Sequence, residues 1–244
     1  MNKLHTVVQG KGGVGKSLVA ALFAQYLKQN GNEVLCADTD PVNATFTQYK
    51  ALDVAQVEIS ENGNVVQRKF DPLMEAILST DKDTVVDNGA STFLPLTRYL
   101  HENEIFEIMS QAGKKVFVHT ILTGGQAKQD TFNGFAELVS KINGNAKIVV
   151  WENEFWGKVQ YDEGAPITET RLFKEAFKAG KIAGVVKIIE RQTDTFQGDM
   201  KQMTESHLTL SEVQESKDFS FLSKNRIHKI VHDVFSQLQK INWE

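Results

Sequence analysis

The 244-residue sequence predicts an α/β fold, a single doubly wound and mostly parallel sheet with helices on both faces, spanning residues 1–244 as one domain. Two observations carry this. Short apolar runs alternate with stretches of helical periodicity from Leu4 to the last residues, and no Pro-, Gly- or Ser-rich linker interrupts them. The composition agrees: 41% hydrophobic residues, 15 Phe and only 4 Pro describe a chain with a sizeable core.

Leu4–Gln9 is the first apolar run and ends at Gly10. Beyond a glycine-rich loop, Val19, Leu22, Phe23, Tyr26 and Leu27 fall at i, i+3, i+4, i+7 and i+8, an amphipathic helix closed by Asn30-Gly31. Glu33–Ala37 follows as a buried strand, giving a strand-loop-helix-strand unit whose strands should be parallel. Gln56–Ser60 and Asn64–Arg68, split by Glu61-Asn62-Gly63, predict a hairpin with an Asn-Gly turn. A helix from Pro72 capped by Asp71, a strand at Thr84–Asp87, helical stretches between Leu94 and Ala112 and a strand at Lys115–Ile121 come next. The alternation continues with a helix around Asp130–Ile142, a strand at Lys147–Trp151, a helix around Glu169–Ala179 and a strand at Ile182–Ile189. The final helix carries Ile227, Ile230, Val231, Val234, Phe235, Leu238 and Ile241 at a spacing that docks it on the sheet.

Charge and cysteine content narrow the function. With 27 Lys+Arg against 31 Asp+Glu, a net charge of -4 argues against DNA binding through overall charge and leaves only local basic patches. The single cysteine, Cys36, excludes an intrachain disulfide and a multi-cysteine metal site, so it is expected to be an inert core residue in a cytoplasmic protein. No secretory leader and no membrane span are expected, because Gly10 interrupts the first apolar run and no run approaches about 18 residues.

Gly10-Lys11-Gly12-Gly13-Val14-Gly15-Lys16-Ser17 satisfies two patterns, G-x-x-x-x-G-K-S and G-x-G-x-x-G. Both let backbone N–H groups face phosphate oxygens at a helix N-terminus. Lys16 and Ser17 favour the phosphate loop, in which the lysine reaches β/γ-phosphates and the hydroxyl ligates Mg²⁺; Leu18 completes the candidate nucleotide-binding run. Asp38, ending the second strand, is compatible with a ribose-binding acid and keeps an NAD(P)-binding oxidoreductase as a remote alternative.

Lys11 is superfluous for simple nucleotide binding. Together with Lys16 it makes K-G-G-V-G-K-S, which resembles the deviant Walker A motif of the ParA/MinD family of ATPases. The resemblance implies a P-loop fold, ATP and Mg²⁺ as cofactors, slow ATP hydrolysis, and an ATP-dependent homodimer in which Lys11 reaches the partner's phosphates. It assigns Lys16 to the bound phosphates and, in Asp38-Thr39-Asp40-Pro41, Asp40 to the attacking water and Asp38 to the neighbourhood of Mg²⁺. Val85-Val86-Asp87 is similar to the Walker B strand, with Asp87 behind the metal, and Asn153 falls where the family meets the adenine edge.

Further segments, among them Asp87-Asn88-Gly89-Ala90-Ser91, Thr123 to Ala127 and Trp151 to Gly157, resemble the family's plasmid conjugal-transfer branch. Conjugation or partition proteins are the partners this implies. Asp87 is followed by Asn-Gly rather than Thr-Pro and Pro41 by Val rather than Gln, which departs from typical partition ATPases. Relatives that bind DNA nonspecifically use C-terminal basic patches, so Lys224, Arg226 and Lys229 keep DNA open as an alternative partner. His228 and His232, at i and i+4, lack a third ligand and read as a solvated helix face. Trp151, Phe155 and Trp156 are read either as core or as flanks of a base, and Gly124-Gly125 is placed by the resemblance near the nucleotide or dimer face.

Overall fold

A computed structural model describes residues 2–161, 164–191 and 193–244. Seven strands form one parallel sheet: β1 Lys3–Val7, β2 Val34–Asp38, β3 Val54–Gln56, β6 Asp83–Asp87, β7 Lys115–Thr123, β8 Ala146–Asn153 and β9 Ile182–Ile188, in the order β3-β2-β6-β1-β7-β8-β9. The helices are α1 Lys16–Gln29, α2 Asp71–Ser79, α3 Phe93–Glu102, α4 Ile105–Gln111, α5 Lys128–Lys141, α6 Arg171–Lys178, α7 Gly198–Glu205, α8 Leu210–Glu215 and α9 Phe221–Leu238. A separate hairpin pairs β4 Ser60–Glu61 with β5 Asn64–Val65.

Side-chain alternation along the strands sorts the core into two layers. Val86, Val116, Val118, Ile148 and Val150 face one layer with α2 to α6; Val85, Phe117, Val149 and Trp151 face the other with α1 and α7 to α9. Both faces are covered, so the central strands are buried on both sides, with the polar residues His5, Thr6, Thr84, His119 and Thr120 enclosed along with the apolar ones. Chain order reverses around β1: α1 leads to β2 on one side, and β7 pairs on the other. The carboxyl ends of β1, β2 and β6 therefore share one crevice, where α/β sheets bind ligands.

Several boundaries differ from the sequence expectations. Val54–Gln56 joins the main sheet, with Cys36 opposite Val54 and Asp38 opposite Gln56, and only the two-residue strands β4 and β5 remain for the hairpin. Its turn is of the expected kind, with positive φ at both Asn62 and Gly63. Asp71 does not cap α2: it is the first helical residue, and its Oδ1 accepts the Tyr99 hydroxyl at 2.8 Å. The helix expected from Glu169 starts at Arg171, because Thr170 caps it by accepting the Phe173 N–H while Ile167–Glu169 forms a 3-10 turn.

Two helices, α7 and α8, carry no sequence expectation. A capping box at Thr209 and Glu212 opens α8, and Gln25 Oε1 accepts the Leu210 N–H at 2.7 Å, tying α8 to α1. Ile241 lies past the end of α9 and packs over Gly184, where a Cβ would stand 2.9 Å from its Cγ1. Among the described residues no helix is long and apolar enough to cross a membrane.

Candidate functional site

The loop from Gly10 to Gly15 leaves β1 and enters α1 directly. Gly13 and Gly15 hold φ near 73° and 99°, a left-handed conformation that side chains resist. Gly15 has a second constraint, since a Cβ there would lie 2.8 Å from the Asn153 Nδ2. Gly12 and Gly13 have nothing within 4 Å of that position, which leaves their backbone open to an approaching ligand. Gly10 packs on the Phe93 ring, and Val14 is buried in the core.

A cavity of about 690 Å³ opens over this loop. At one end it is lined by Gly12, Gly13, Gly15, Lys16, Ser17 and Asp40, with Leu18 adjoining. The lining also takes in the apolar side chains Trp156, Ile188, Ile189, Phe196 and Met200, with Glu190, Arg191 and Gln197 among them. Lys16 and Ser17 are the first two residues of the 14-residue α1, so this part of the cavity sits at the positive end of a helix dipole.

Lys16 is buried, and its amine donates to the loop's own Lys11 carbonyl at 3.2 Å. Burial pulls its pKa down, against the opposing pull of Asp87 and Asp40. Asp87 ends β6 fully enclosed; burial drives its pKa up to about 7, Asp38 and Asp40 add to that, and a bond from Ser17 with the charge of Lys16 opposes it. One of its oxygens, Oδ1, has no partner among the described residues.

Asp38 is committed to shaping its own loop. Its Oδ1 accepts the Asp40 N–H at 2.9 Å, and its Oδ2 accepts those of Phe46 at 2.9 Å and Thr47 at 3.2 Å. The side chain is fully buried and does not line the cavity, so it is turned away from where a ribose would lie. Asp40 turns outward to the cavity, with Oδ1 accepting from Val42 and Asn43. Gly89 makes this possible, because a Cβ there would meet the Asp40 carboxyl at 2.7 Å.

These residues fit a Mg²⁺–nucleotide. Among the described residues no three carboxylate, imidazole or thiolate groups converge as a direct cation cage. Mg²⁺ uses few protein ligands and shares phosphate oxygens and waters, which is what one hydroxyl, Ser17, and a carboxylate with an unpaired oxygen, Asp87, can serve.

Asn153, at the end of β8, lines the cavity and is tied to the loop. Its Nδ2 donates to the Val14 carbonyl at 3.0 Å and its Oδ1 accepts the Phe155 N–H at 3.2 Å. Trp151 is core: it is fully buried and donates its indole N–H to His119 Nδ1 at 2.9 Å. Phe155 and Trp156 are partly exposed, pair edge to face at 4.8 Å and line the cavity. Gly124 and Gly125 lie against the Gly157 and Trp156 carbonyls, so they fit the loop after β7 to the turn after β8.

Lys11 lies outside the cavity lining, 2.8 Å from Asp130 on the first turn of α5. Sequence reasoning missed Asp130, along with Gln9, whose buried amide donates to the Ile121 and Thr131 carbonyls at 2.9 and 3.0 Å and accepts the Gly10 N–H at 2.8 Å. Neither carries a motif. Position beside the loop was the only available signal for Gln9. On α9, His228 and His232 stack at 5.9 Å on the exposed face; Lys224 donates to the Gln214 carbonyl and Arg226 pairs with Asp199.

Residues 5–239 match the family described as the CobQ/CobB/MinD/ParA nucleotide binding domain. Two proteins named TraL from Escherichia coli are 38% and 39% identical, each match covering 98% of both chains. Among solved structures, a chain of the Aquifex aeolicus MinC:MinD cell division protein complex matches with a TM-score of 0.52 at 14% identity, over 99% of this chain and 97% of that one. At that identity the likeness is one of fold.

Proposed function

The chain belongs to the CobQ/CobB/MinD/ParA family of nucleotide-binding proteins, and on that premise we propose that it is a cytoplasmic, Mg²⁺-dependent ATPase whose ATP-bound form is a homodimer. We assign its 244 residues to one ATPase domain that positions or recruits components of plasmid conjugal transfer, an assignment supported by the TraL likeness. One observation carries the reading. The two loop lysines part company, Lys16 inside the cavity and Lys11 outside it on the surface.

Phosphoryl transfer needs positioning and charge neutralisation more than covalent chemistry from the protein. The open backbone at Gly12 and Gly13 and the α1 N-terminus orient phosphate oxygens; Lys16, held at the loop carbonyl, turns to them. Ser17 would ligate Mg²⁺ and Asp87 would support it, the metal supplying charge neutralisation between phosphates. Asp40, at the cavity edge, orients the attacking water. Lys11 acts on a second protomer, as a cation supplied in trans. A site with no strongly basic general base suits a slow switch. The partition-type alternative, with DNA on α9, has less support because Lys224 and Arg226 are engaged within the chain.

Light scattering with a hydrolysis-resistant ATP analogue tests the reading. Wild-type protein should double in mass with the analogue and Mg²⁺, and remain monomeric with ADP. A monomer under all conditions, at protein concentrations well above those of the cell, would sink the switch. Calorimetry in which NADH binds and ATP does not would end the ATPase reading itself.

A further inference from the structure

The chain leaving β9, Lys187 to Arg191, forms a wall of the cavity through Ile188, Ile189, Glu190 and Arg191. Four side chains from outside the segment hold it, the first being Glu152, whose Oε2 lies 2.7 Å from the Lys187 ammonium. Gln237 on α9 accepts the Lys187 N–H at 2.7 Å and donates to the Lys187 carbonyl at 3.0 Å, giving the edge strand the two bonds a neighbouring strand would supply. Glu154 accepts the Glu190 N–H at 3.0 Å. Asp233, one turn before Gln237, holds the Arg191 guanidinium through Oδ2 at 3.2 Å. That guanidinium lies over the Phe196 ring, 5.6 Å from its centroid, and Phe196 also lines the cavity.

Ile230, Asp233 and Gln237 share one face of α9. Ile230 reaches the cavity itself, and the other two fix the segment beside it. With the phosphates on the loop, the apolar lining residues Ile188, Ile189 and Phe196 are the part left for a nucleotide base. Without a carboxylate at 233 the long Arg191 side chain is free to extend into water, and the cation leaves the Phe196 ring.

We infer that Asp233 is a positioning residue that, through Arg191 and Phe196, sets the wall against which the nucleotide base packs, so that base affinity depends on the seating of α9. This rests on the nucleotide reading proposed above. It makes α9, whose opposite face is exposed, an element whose position and the occupancy of the base end bias one another.

Calorimetric titration of wild type, Asp233→Asn, Asp233→Glu and Gln237→Ala with Mg²⁺-ATP and, separately, with inorganic tripolyphosphate tests this. Tripolyphosphate probes the phosphate loop alone. Asp233→Asn should weaken ATP about fivefold, the weight of one partly exposed ion pair, with tripolyphosphate unchanged and Asp233→Glu close to wild type. Gln237→Ala should give the same selective loss and serves as the independent variant if Asp233→Asn folds poorly. ATP affinity unchanged in both variants, or ATP and tripolyphosphate weakened in parallel, overturns the inference. Wild-type protein that binds neither ligand overturns the nucleotide reading as well, and is distinguished by failing before any substitution is made.

Discussion

The Lys11 ammonium lies 2.8 Å from the Asp130 carboxylate, an ion pair in which both side chains remain about half exposed. Such a pair contributes about 0–1 kcal/mol, so Lys11 is parked rather than locked. For the role in trans proposed above, such a pair would hold the ammonium away from its own cavity and release it to a more negative partner.

Asp130→Asn should therefore favour assembly. With the pair neutralised, the protein concentration at which half the chains dimerise with an ATP analogue should fall about two- to fivefold, the factor that about 0.4–1 kcal/mol supplies. Light scattering across a dilution series reads it. A midpoint that rises instead would mean that Asp130 helps the dimer, and the resting role would be wrong.

The two lysines should separate cleanly by substitution. Lys16→Ala removes the cation inside the cavity and should abolish measurable ATP binding in calorimetry. Lys11→Ala leaves the cavity intact and should keep ATP affinity within about threefold, because an exposed cation contributes little to its own site, while losing ATP-dependent dimerisation. Equal loss of binding in both variants would mean that Lys11 serves its own nucleotide.

Gln9 explains why Gly134 is a glycine inside a helix. A Cβ at Gly134 would fall 2.2 Å from the Gln9 Oε1, and that oxygen accepts the Gly10 N–H at the start of the phosphate loop. Gly134→Ala should thus cost about 1–3 kcal/mol of stability by overpacking, although alanine is the better helix former. Denaturant unfolding measures it, and a neutral or stabilising result would show that the Gln9 amide can move without loss.

How much of this was legible in the sequence depends on whether a residue's role is local. The loop from Gly10 to Ser17 announces itself because its backbone conformation demands glycine and its chemistry demands lysine and a hydroxyl. The succession of the longer strands along the chain, β1, β2 and β6 to β9, was legible for a similar reason, since period and length are local properties. Asp38 and Asn153 were visible as polar strand ends, but the sequence could not tell that their side chains satisfy nearby backbone groups. Trp151 and Trp156, five residues apart, look alike in sequence; the pleat buries the first and the turn exposes the second. Asp130 and Asp233 act over separations of 119 and 42 residues, and only the folded chain brings them to Lys11 and Arg191. The three-residue β3 and the eight- and six-residue α7 and α8 are too short for a periodic signal.

The buried histidines give the fold a pH limit. The indole of Trp151 can only donate, so His119 Nδ1 is its acceptor, and the proton of His119 sits on Nε2, which donates to His5 Nδ1 at 3.0 Å. Both rings are then neutral, packed among Phe23, Phe117 and Trp243. Burial pushes the pKa of His119 down to about 3; for His5, burial first and then the neighbouring His119 and Lys3 also push it well down. The unfolded chain takes up these protons near the ordinary histidine pKa of about 6.5, and the folded chain does not. Their contribution is therefore whole above about pH 6.5 and lost as the pH falls from there toward the folded values, at up to about 1.4 kcal/mol per pH unit for each histidine. By pH 5 His119 should have cost about 2 kcal/mol. His5→Phe keeps an aromatic ring in the cluster and removes one titrating site, so its unfolding free energy, though lower at neutral pH, should fall less than that of wild type between pH 7 and pH 5. Parallel pH profiles for the two proteins, measured by denaturant unfolding, would show that His5 takes up its proton in the folded chain as it does in the unfolded one.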